Sequence, residues 1–519
     1  MSELKKRNFH EAQWDEAIIY EQSVPGSRGV LVPDVSGEAA KVTGDVSALM
    51  PASLKRRQKP DLPELAQPQV LRHFLRLSQE TIGQDLNVDI GLGTCTMKYS
   101  PKINEQFVRS HKFTEMHPYQ DDETSQGVLK LIYDFEQIMK EISGLDAVSF
   151  QPGGGGQGIY ANAAVLKQYF RDRGEENQRT QIITTILSHP IDSAAPATKG
   201  FEVISLYPEA NGYPSIEALK AAVSEKTAGI FITNPEDTGV FNPIIREFVD
   251  VVHEAGGLCV CDMADYNGLF GIVRAKELGA DLCHFNLHKA FSSPHGCMGP
   301  GCAAQCVSAE LEKYLPRPRV RFDGKKYYTD YDGEYSIGKV RQFHGSLAAV
   351  LRAYAWIMSL GKDGLKTVAE TAILNNNYMM KRMLTEVKGV SMSWAEEAPH
   401  RLEQVRYSFE KLYKDTGVSA EDVNRHLLDF GFQRFFASHH PLIVPEPFTP
   451  EPTESYSKAD IDEYVDALVQ ISNEAYTTPE VVLNAPYAGP ISKLENDHIK
   501  DWRELCVTWR AYKKQNGLV

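Results

Sequence analysis

Three residues that can do chemistry each follow an apolar run that is typical of a buried strand. Lys289 lies in NLHKAFSSPHG (286–296), Asp262 follows LCVC, and His189 follows TQIITTIL (180–187). A lysine there can form a Schiff base when its neighbours lower its pKa, and a histidine can stack on an aromatic ligand or move a proton. A buried carboxylate is costly unless paired, and a protonated heterocyclic nitrogen would pair with Asp262. Each of these roles has a purely structural alternative. His189 could be a hydrogen-bonded surface histidine, and Asp262 could cap a helix or form an internal salt bridge.

Two more strand ends carry glycine-rich or polar sequence. The run QPGGGGQG (151–158) stands between a predicted strand and a predicted helix, where its backbone N–H groups can approach an anion. It lacks the GK[ST] ending of a P-loop and is not a dinucleotide fingerprint, so alone it fits a phosphate cradle and a flexible turn equally well. Asn234 opens the turn NPED after AGIFIT, where it can reach a ligand or cap the next helix.

Together these features form the set that pyridoxal 5′-phosphate (PLP) requires: a phosphate cradle, a stacking ring, an acid at the ring nitrogen and a Schiff-base lysine. Lys289 follows Asp262 by 27 positions. Ligands of open α/β sheets bind beyond the carboxyl ends of the strands, so one sheet would bring all the parts together. The sequence therefore predicts a PLP site.

The segments that position these residues alternate between apolar β runs and helical patterns. Six runs predict strands, at 146–150, 180–187, 201–207, 228–233, 258–263 and 281–286. A helix is predicted over 124–143, with Gly144 as its stop. The alternation predicts an α/β fold with a mostly parallel sheet covered on both faces.

Three parts are expected along the chain. Residues 1–85 form an extended arm that wraps a neighbouring subunit or the body of its own chain, since apolar anchors recur in it. Residues 86–345 form the large ligand-binding α/β domain. Residues 346–519 form a smaller α+β domain, which the helix SLAAVLRAYAWIMSLG introduces.

The composition excludes several classes of protein. Of 519 residues, 42% are hydrophobic and 24% are charged, which is ordinary for a globular chain. The net charge of −14 argues against a broad nucleic-acid surface, although a local basic pocket for a small anion is compatible with it. There is no apolar run of about 18 residues and no signal-peptide pattern, so we expect a cytoplasmic protein.

The eight cysteines are expected to be free thiols in a reducing compartment. Cys259 and Cys261 would point the same way from one strand, and Cys297, Cys302 and Cys306 follow in glycine-rich sequence. Neither spacing matches a standard zinc knuckle. We therefore predict no metal site.

Longer stretches carry a resemblance over nearly the whole chain. They are GLGTCTMKYSPKINE, MHPYQDDETSQG, GLDAVSFQP, TNP, VHEAGGL, FNLHKAFSSPHG, LRAYAWIMSLG and EPTESYSK. In them the chain resembles subunit 2 of the two-subunit glycine dehydrogenase (decarboxylating), the P-protein of the glycine cleavage system. The resemblance implies a fold-type-I PLP enzyme, similar in fold to aspartate aminotransferase, that decarboxylates glycine and passes the aminomethyl group to a lipoyl arm on the H-protein. It also implies a separate subunit 1 in an α2β2 tetramer, or a homodimer if that partner has been lost.

The resemblance also implies roles for single residues. Lys289 would be the Schiff-base lysine, Asp262 would pair with the pyridine nitrogen, and His189 would stack on the ring. Lys289 or His189 would move protons. The remaining candidates are Gly155, Gly156, Gln157, Gly158 and His288 for the phosphate, Asn234 for the ring hydroxyl, and Thr94, Cys95 and Thr96 for the substrate side.

Several positions depart from the usual pattern of that family. The phosphate loop reads QPGGGGQGI in place of QPAAGAHGE, DMADYN replaces DGANLN, and NPED replaces NPNT. Ala290 stands where a threonine usually follows the lysine, and the MHEFV element has no clear counterpart in RLEQVRYSF. These departures leave an alternative open: a diverged PLP enzyme that acts on another amino acid, by decarboxylation, transamination or Cα–Cβ chemistry, without the lipoyl carrier.

Overall fold

The structure, a computed structural model, describes residues 14–81, 87–92, 98–294, 301–439, 443–490, 492–493 and 508–518. The α-helices are α1 (Gly37–Thr43), α2 (Gln67–Gln79), α3 (Lys102–Val108), α4 (His111–Thr114), α5 (Gln126–Ser143), α6 (Gly155–Asp172), α7 (Ile191–Thr198), α8 (Ile216–Ala222), α9 (Ile245–Glu254), α10 (Ala275–Leu278), α11 (Leu347–Glu386), α12 (Glu410–Thr416), α13 (Ala420–Leu427), α14 (Lys458–Thr477), α15 (Pro479–Leu483) and α16 (Trp509–Gln515). The strands are β1 (Ala147–Ser149), β2 (Gln181–Thr185), β3 (Glu202–Leu206), β4 (Thr227–Thr233), β5 (Leu258–Met263), β6 (Leu282–Asn286), β7 (Ala303–Val307), β8 (Arg319–Phe322), β9 (Tyr327–Asp330), β10 (Ser391–Met392), β11 (Tyr407–Ser408) and β12 (Pro447–Phe448).

A seven-stranded sheet lies at the centre of the larger region, in the order β1-β7-β6-β5-β4-β2-β3. The strands from β2 to β6 pair in parallel, and within this sheet only β7 runs against its neighbours. β4 to β7 are buried almost throughout because helices cover both faces, as their continuous apolar sequence requires. The predicted α/β class is confirmed. Five of the six predicted strand runs contain one strand of this sheet, and the sixth, 228–233, matches β4 except that β4 begins one residue earlier.

Helix α5 packs against this sheet and ends as its sequence predicts. The predicted range 124–143 exceeds the observed helix by two residues at the start. Leu129, Phe135 and Met139 are buried along one side of it. Gly144 adopts φ 72°, and its N–H donates to the C=O of Lys140 at 2.8 Å, so the glycine closes the helix in the left-handed conformation.

Helix α11 connects the core of the sheet to a second core. It breaks at Gly361, which has φ 65° and ψ −177°, so the first half ends where the sequence predicts. Val350 and Ala353 of the first half pack on the sheet core, whereas Met379 and Met383 of the second half pack on the C-terminal core.

The C-terminal region is α+β, as predicted. A three-stranded antiparallel sheet, β10-β11-β12, packs with α12 to α15 around its own apolar cluster. Ile90 joins this cluster, and its C=O accepts a hydrogen bond from the N–H of Glu451 at 2.9 Å. Residues 87–92 thus pack with the C-terminal region. The predicted boundaries at residues 85 and 345 stay a prediction.

The N-terminal segment contacts its own chain. Tyr20 stacks on Trp509 of α16 with ring centroids 4.9 Å apart, and Lys513 forms an ion pair with Asp61 at 2.8 Å. Val32 is 81% exposed, so part of the apolar surface of this segment stays uncovered within one chain.

Among the described residues, no helix is both long and apolar enough to cross a membrane.

Candidate active site

The carboxyl ends of β2, β4, β5 and β6 meet around one cavity. Four predicted site residues line it: His189 after β2, Asn234 after β4, Asp262 on β5 and Lys289 after β6. The rest of the wall consists of residues that the sequence analysis did not assign to the site: Thr233, Pro235, Asp237, Met263, Ala264, Asp265, Leu269, Glu403 and Gln404. A lysine, a histidine and a carboxylate therefore share the edge at which open α/β folds bind ligands.

Lys289 lies in a tight turn that begins at the end of β6. Its N–H donates to the C=O of Asn286 at 3.1 Å. The side chain lines the cavity together with Asp265 and Glu403. Burial raises the pKa of both carboxyls, that of Glu403 to about 8, while the positive charge of Lys289 acts in the opposite direction on each. The lysine thus shares the cavity with two buried acids, of which Glu403 is largely protonated at neutral pH.

Asp262 is buried at the end of β5, with 5% of its surface exposed. Its Oδ1 accepts a hydrogen bond from the N–H of Ala264 at 2.8 Å and lies 3.4 Å from Nε2 of His284 on β6. Its carboxyl is also in hydrogen-bonding contact with that of Asp192, in the first turn of α7. The N–H donor stabilises an anion at Asp262, which is the state needed opposite a protonated ring nitrogen.

His189 has a fixed and neutral ring. Its Nδ1 accepts a hydrogen bond from the N–H of Ile191 at 3.1 Å, so the ring proton of the neutral form is on Nε2. Burial lowers the pKa of His189 to about 4. Its ring meets that of His439 edge to face, with centroids 4.3 Å apart. A neutral imidazole held in this way can lie on an aromatic ligand without adding charge.

His439, which contacts the ring of His189, is itself paired with the carboxylate of Asp237. His439 Nδ1 lies 2.7 Å from Oδ2 of Asp237, which belongs to the altered NPED turn. Burial alone would raise the pKa of Asp237, but the hydrogen bond from His439 and the charge of Arg406 lower it to about 2. Asp237 is therefore ionised. Sequence analysis missed the pair because its members are 202 positions apart.

The amide of Asn234 holds its own loop together. Its Nδ2 donates to the C=O of Asn242 at 3.2 Å, and its Oδ1 accepts from the N–H of Asn242 at 2.9 Å. Since both ends of the amide are engaged within the loop, a role at a ring hydroxyl stays a prediction.

The glycine turn lies next to the cavity, at the start of α6. A Cβ on Gly155 would lie 3.0 Å from Nδ2 of Asn286, and one on Gly158 would lie 2.9 Å from the ring of His284. These two glycines therefore let α6 approach β6 closely. Gln157 accepts a hydrogen bond at Oε1 from the N–H of Gly153 at 2.7 Å and so closes the turn. A Cβ on Gly156 would make only ordinary van der Waals contact, with Ile191 at 3.8 Å.

His288 and Arg341 stand beside this turn. His288 Nδ1 is 3.2 Å from the C=O of Cys302, which fixes its ring. The guanidinium of Arg341 occupies the space that a Cβ on Gly153 would fill. Arg341 makes no ion pair with a described carboxylate. It is a cation at the glycine turn that sequence analysis missed, because it is almost 190 positions away from the turn.

The predicted substrate-side residues Thr94, Cys95 and Thr96 lie outside the described residues.

The described thiols are all free and buried: Cys259, Cys261, Cys283, Cys302 and Cys306. Burial raises the pKa of Cys302 to about 12, so this thiol is neutral and unreactive. Within the described ranges, no group of three or more His, Cys, Asp or Glu side chains is arranged to hold a metal ion.

The residues present fit PLP. Oδ1 of Asn286 and both ring nitrogens of His284 are buried without a hydrogen-bond partner among the described residues. Asn286 Oδ1 and His284 Nε2 would each lie 3.4 Å from a Cβ on Gly155, at the start of α6. These polar atoms, the N-terminus of α6 and the guanidinium of Arg341 together suit a phosphate group. Asp262 suits a cationic ring nitrogen, and Lys289 is an amine within the same cavity.

Comparisons with known proteins agree with this geometry. Residues 41–321 match the family "Glycine cleavage system P-protein", and residues 368–485 match "Glycine dehydrogenase, C-terminal domain". A "Probable glycine dehydrogenase (decarboxylating) subunit 2" of Pyrococcus furiosus is 41% identical over 515 residues, which cover 98% of this chain and 99% of the relative. A relative of the same name from Halalkalibacterium halodurans is 38% identical over 481 residues, which cover 93% of this chain and 96% of the relative.

Solved structures show the same fold at low sequence identity. A glycine decarboxylase (P-protein) of the glycine cleavage system, in inhibitor-bound form, superposes with a TM-score of 0.70 at 19% identity, over 85% of this chain and 100% of the other. A NifS-like protein superposes with a TM-score of 0.57 at 14% identity, over 74% of this chain and 98% of the other.

The fold is that of the fold-type-I, PLP-dependent enzymes. Within that class the family is shown by the nearly full-length relatives. The chain belongs to the P-protein family of the glycine cleavage system, on the branch of glycine dehydrogenase (decarboxylating) subunit 2. The predicted family is thus confirmed.

Proposed function

We propose that this chain binds PLP, decarboxylates glycine and passes the remaining aminomethyl group to a lipoyl carrier. One observation carries the proposal: Lys289, Asp262 and His189 line a single cavity at the carboxyl edge of the sheet. Membership of the P-protein family supports glycine as the substrate. No structural feature in the described residues favours the alternative of another amino acid.

The residues that would hold PLP are distributed over four strand ends. Lys289 would bind the aldehyde, Asp262 the ring nitrogen and His189 the face of the ring. The N-terminus of α6, with Arg341 beside it, would hold the phosphate. When bound, PLP supplies an electron sink that stabilises the negative charge left on the α-carbon as CO2 departs.

Asp262, His189 and Lys289 would each have a separate task in the site. The N–H of Ala264 donates to Oδ1 of Asp262 and so fixes the orientation of this carboxyl inside the fold. His189 contributes a neutral surface whose orientation is fixed by the N–H of Ile191. Lys289 is the cavity residue whose Nζ can take up or return a proton at the α-carbon once it is released from the aldehyde.

The protein would act as one part of a larger assembly. Its relatives carry the name subunit 2, which supports a separate subunit 1 as partner. We infer that subunit 1 joins this chain and that a lipoyl-bearing H-protein accepts the aminomethyl group. The uncovered apolar surface near Val32 in the N-terminal segment is compatible with such a partner. A cytoplasmic location stays a prediction.

The test is exchange of the glycine carboxyl carbon with labelled bicarbonate. Purified chain, saturated with PLP, is combined with subunit 1 and lipoylated H-protein of the same organism. We expect exchange that requires all three proteins, with a change of the bound-PLP absorbance on addition of glycine. If another amino acid alters the absorbance and glycine does not, and the complete mixture shows no exchange, the proposal is wrong.

A further inference from the structure

A second carboxyl group lies directly against Asp262. Asp192 is completely buried in the first turn of α7, and its carboxyl is in hydrogen-bonding contact with that of Asp262. The hydroxyl of Thr233 donates to Asp192 Oδ2 at 3.0 Å. Asp192 Oδ1 has no donor among the described residues. Two buried carboxylates in contact repel each other strongly, so one of the two must carry a proton.

The surroundings decide which carboxyl is protonated. Asp262 receives the backbone N–H of Ala264 at 2.8 Å, which stabilises an anion. Within the described part of the chain, the side chain of Asp192 accepts a hydrogen bond from the hydroxyl of Thr233 alone. Other titratable groups near Asp192 include Cys261 on β5, the ionised Asp237 in the loop after β4, and the neutral His189, whose C=O accepts from the N–H of Asp192 at 2.9 Å.

None of these neighbours supplies positive charge to Asp192. Position in the first turn of a helix favours an anion only modestly. Complete burial next to a carboxylate outweighs that effect. In agreement, burial and the charge of Asp262 raise the pKa of Asp192 well above its usual range.

We propose that Asp192 carries a proton and donates a hydrogen bond to Asp262, so that the two side chains act as one acid–carboxylate pair. Asp192 is then a positioning residue: it fixes the orientation of Asp262 while leaving one negative charge for the ring nitrogen. The functional part of this inference rests on the proposed binding of PLP. The protonation of Asp192 is a property of the protein alone.

Two variants separate the hydrogen bond from the charge. Asp192→Asn keeps a donor of the same shape without a titratable proton, whereas Asp192→Ala removes the donor. By absorbance titration, we expect Asp192→Asn to bind PLP within about threefold of the wild-type Kd, and Asp192→Ala to bind about tenfold or more weakly. If Asp192→Asn binds as weakly as Asp192→Ala, the proposal is overturned.

A second measurement uses no cofactor. Infrared spectra of the PLP-free protein at neutral pH should contain a carboxylic-acid C=O band that is absent from Asp192→Asn. The melting temperature of Asp192→Asn relative to wild type should also rise with pH above about 4, because the folded wild type must retain a proton that its unfolded chain releases.

The cofactor-free measurements test the protonation of Asp192, whereas PLP binding by the wild type tests the proposed function. A difference spectrum that shows carboxylate bands in place of the acid band, together with parallel melting curves, contradicts the protonation of Asp192 even if PLP binds. Failure of the wild type to bind PLP contradicts the proposed function, and the cofactor-free measurements still decide the state of Asp192.

Discussion

At the scale of single residues, Lys289 separates the PLP proposal from every purely structural explanation of the cavity. Lys289→Ala should lose the visible absorbance of bound PLP, because no other described lysine lines the cavity to bind the aldehyde. Turnover should fall by about 10² to 10⁴, the range lost with a positioned proton-transfer group. Absorbance and glycine–bicarbonate exchange measure the two effects.

Two controls accompany this substitution. Lys289→Arg keeps a positive charge beside Asp265 and Glu403 but cannot bind the aldehyde, so it should be as colourless as Lys289→Ala. Lys366→Ala removes a surface lysine that pairs with Glu370 and should retain both signals. An active, coloured Lys289→Ala protein would contradict the assignment.

At the scale of elements, the packing of α6 on β6 places the glycine turn beside the cavity. Gly158→Ala should destabilise the protein by about 1 to 2 kcal/mol, because the new Cβ would lie 2.9 Å from the buried ring of His284. The gain in helix propensity of about 1 kcal/mol offsets only part of this clash. Urea unfolding of the PLP-free protein measures the difference.

Gly156→Ala is the matched control in the same helix turn. Its Cβ would meet only Ile191, at 3.8 Å, so the substitution should be neutral or stabilise by up to about 1 kcal/mol. Equal stability of the two variants would show that α6 can shift away from β6 at no cost.

The sequence predicts those elements whose signals are local. The apolar runs give β1 to β6, and Gly144 and Gly361 mark the ends of helices because both adopt positive φ. Strand ends then identify His189, Asp262 and Lys289, because parallel strands bring their carboxyl ends to one edge of the sheet.

Contacts between distant segments could not be predicted in this way. The pair of Asp237 with His439, and the approach of Arg341 to Gly153, join segments that are roughly 190 to 200 positions apart. Glu403 lines the cavity although RLEQVRYSF offered no recognisable motif. β7 was missed because its short run AAQCV follows glycine-rich sequence and shows no alternation.

At the scale of the whole molecule, buried acids should make stability fall as pH rises through neutrality. Burial raises the pKa of Glu236 to about 8, that of Glu403 to about 8 and that of Asp89 to about 7. Each binds a proton in the folded protein that the unfolded chain releases above pH about 4.5. The free energy of unfolding should therefore decrease by about 1 kcal/mol per pH unit for each such group that is still protonated.

Between pH 6.5 and 8 the buried acids are no longer opposed by histidines that are neutral in the folded protein. Burial lowers the pKa of His189 to about 4, and unfolded histidines titrate near pH 6.5, so below this pH the uptake of protons by the unfolded chain opposes the acids. Above pH 6.5 that opposition ends. Urea unfolding of the PLP-free protein at several pH values measures the slope.

Glu236→Gln is the variant that tests the physical cause. The hydroxyl of Thr185 donates to Glu236 Oε1 at 2.6 Å, and a glutamine carbonyl can accept the same bond without binding a proton. The slope of stability against pH should thus be smaller in Glu236→Gln than in wild type by about 1 kcal/mol per pH unit. Identical slopes would mean that Glu236 is ionised in the folded protein, and that burial at this position does not hold a proton.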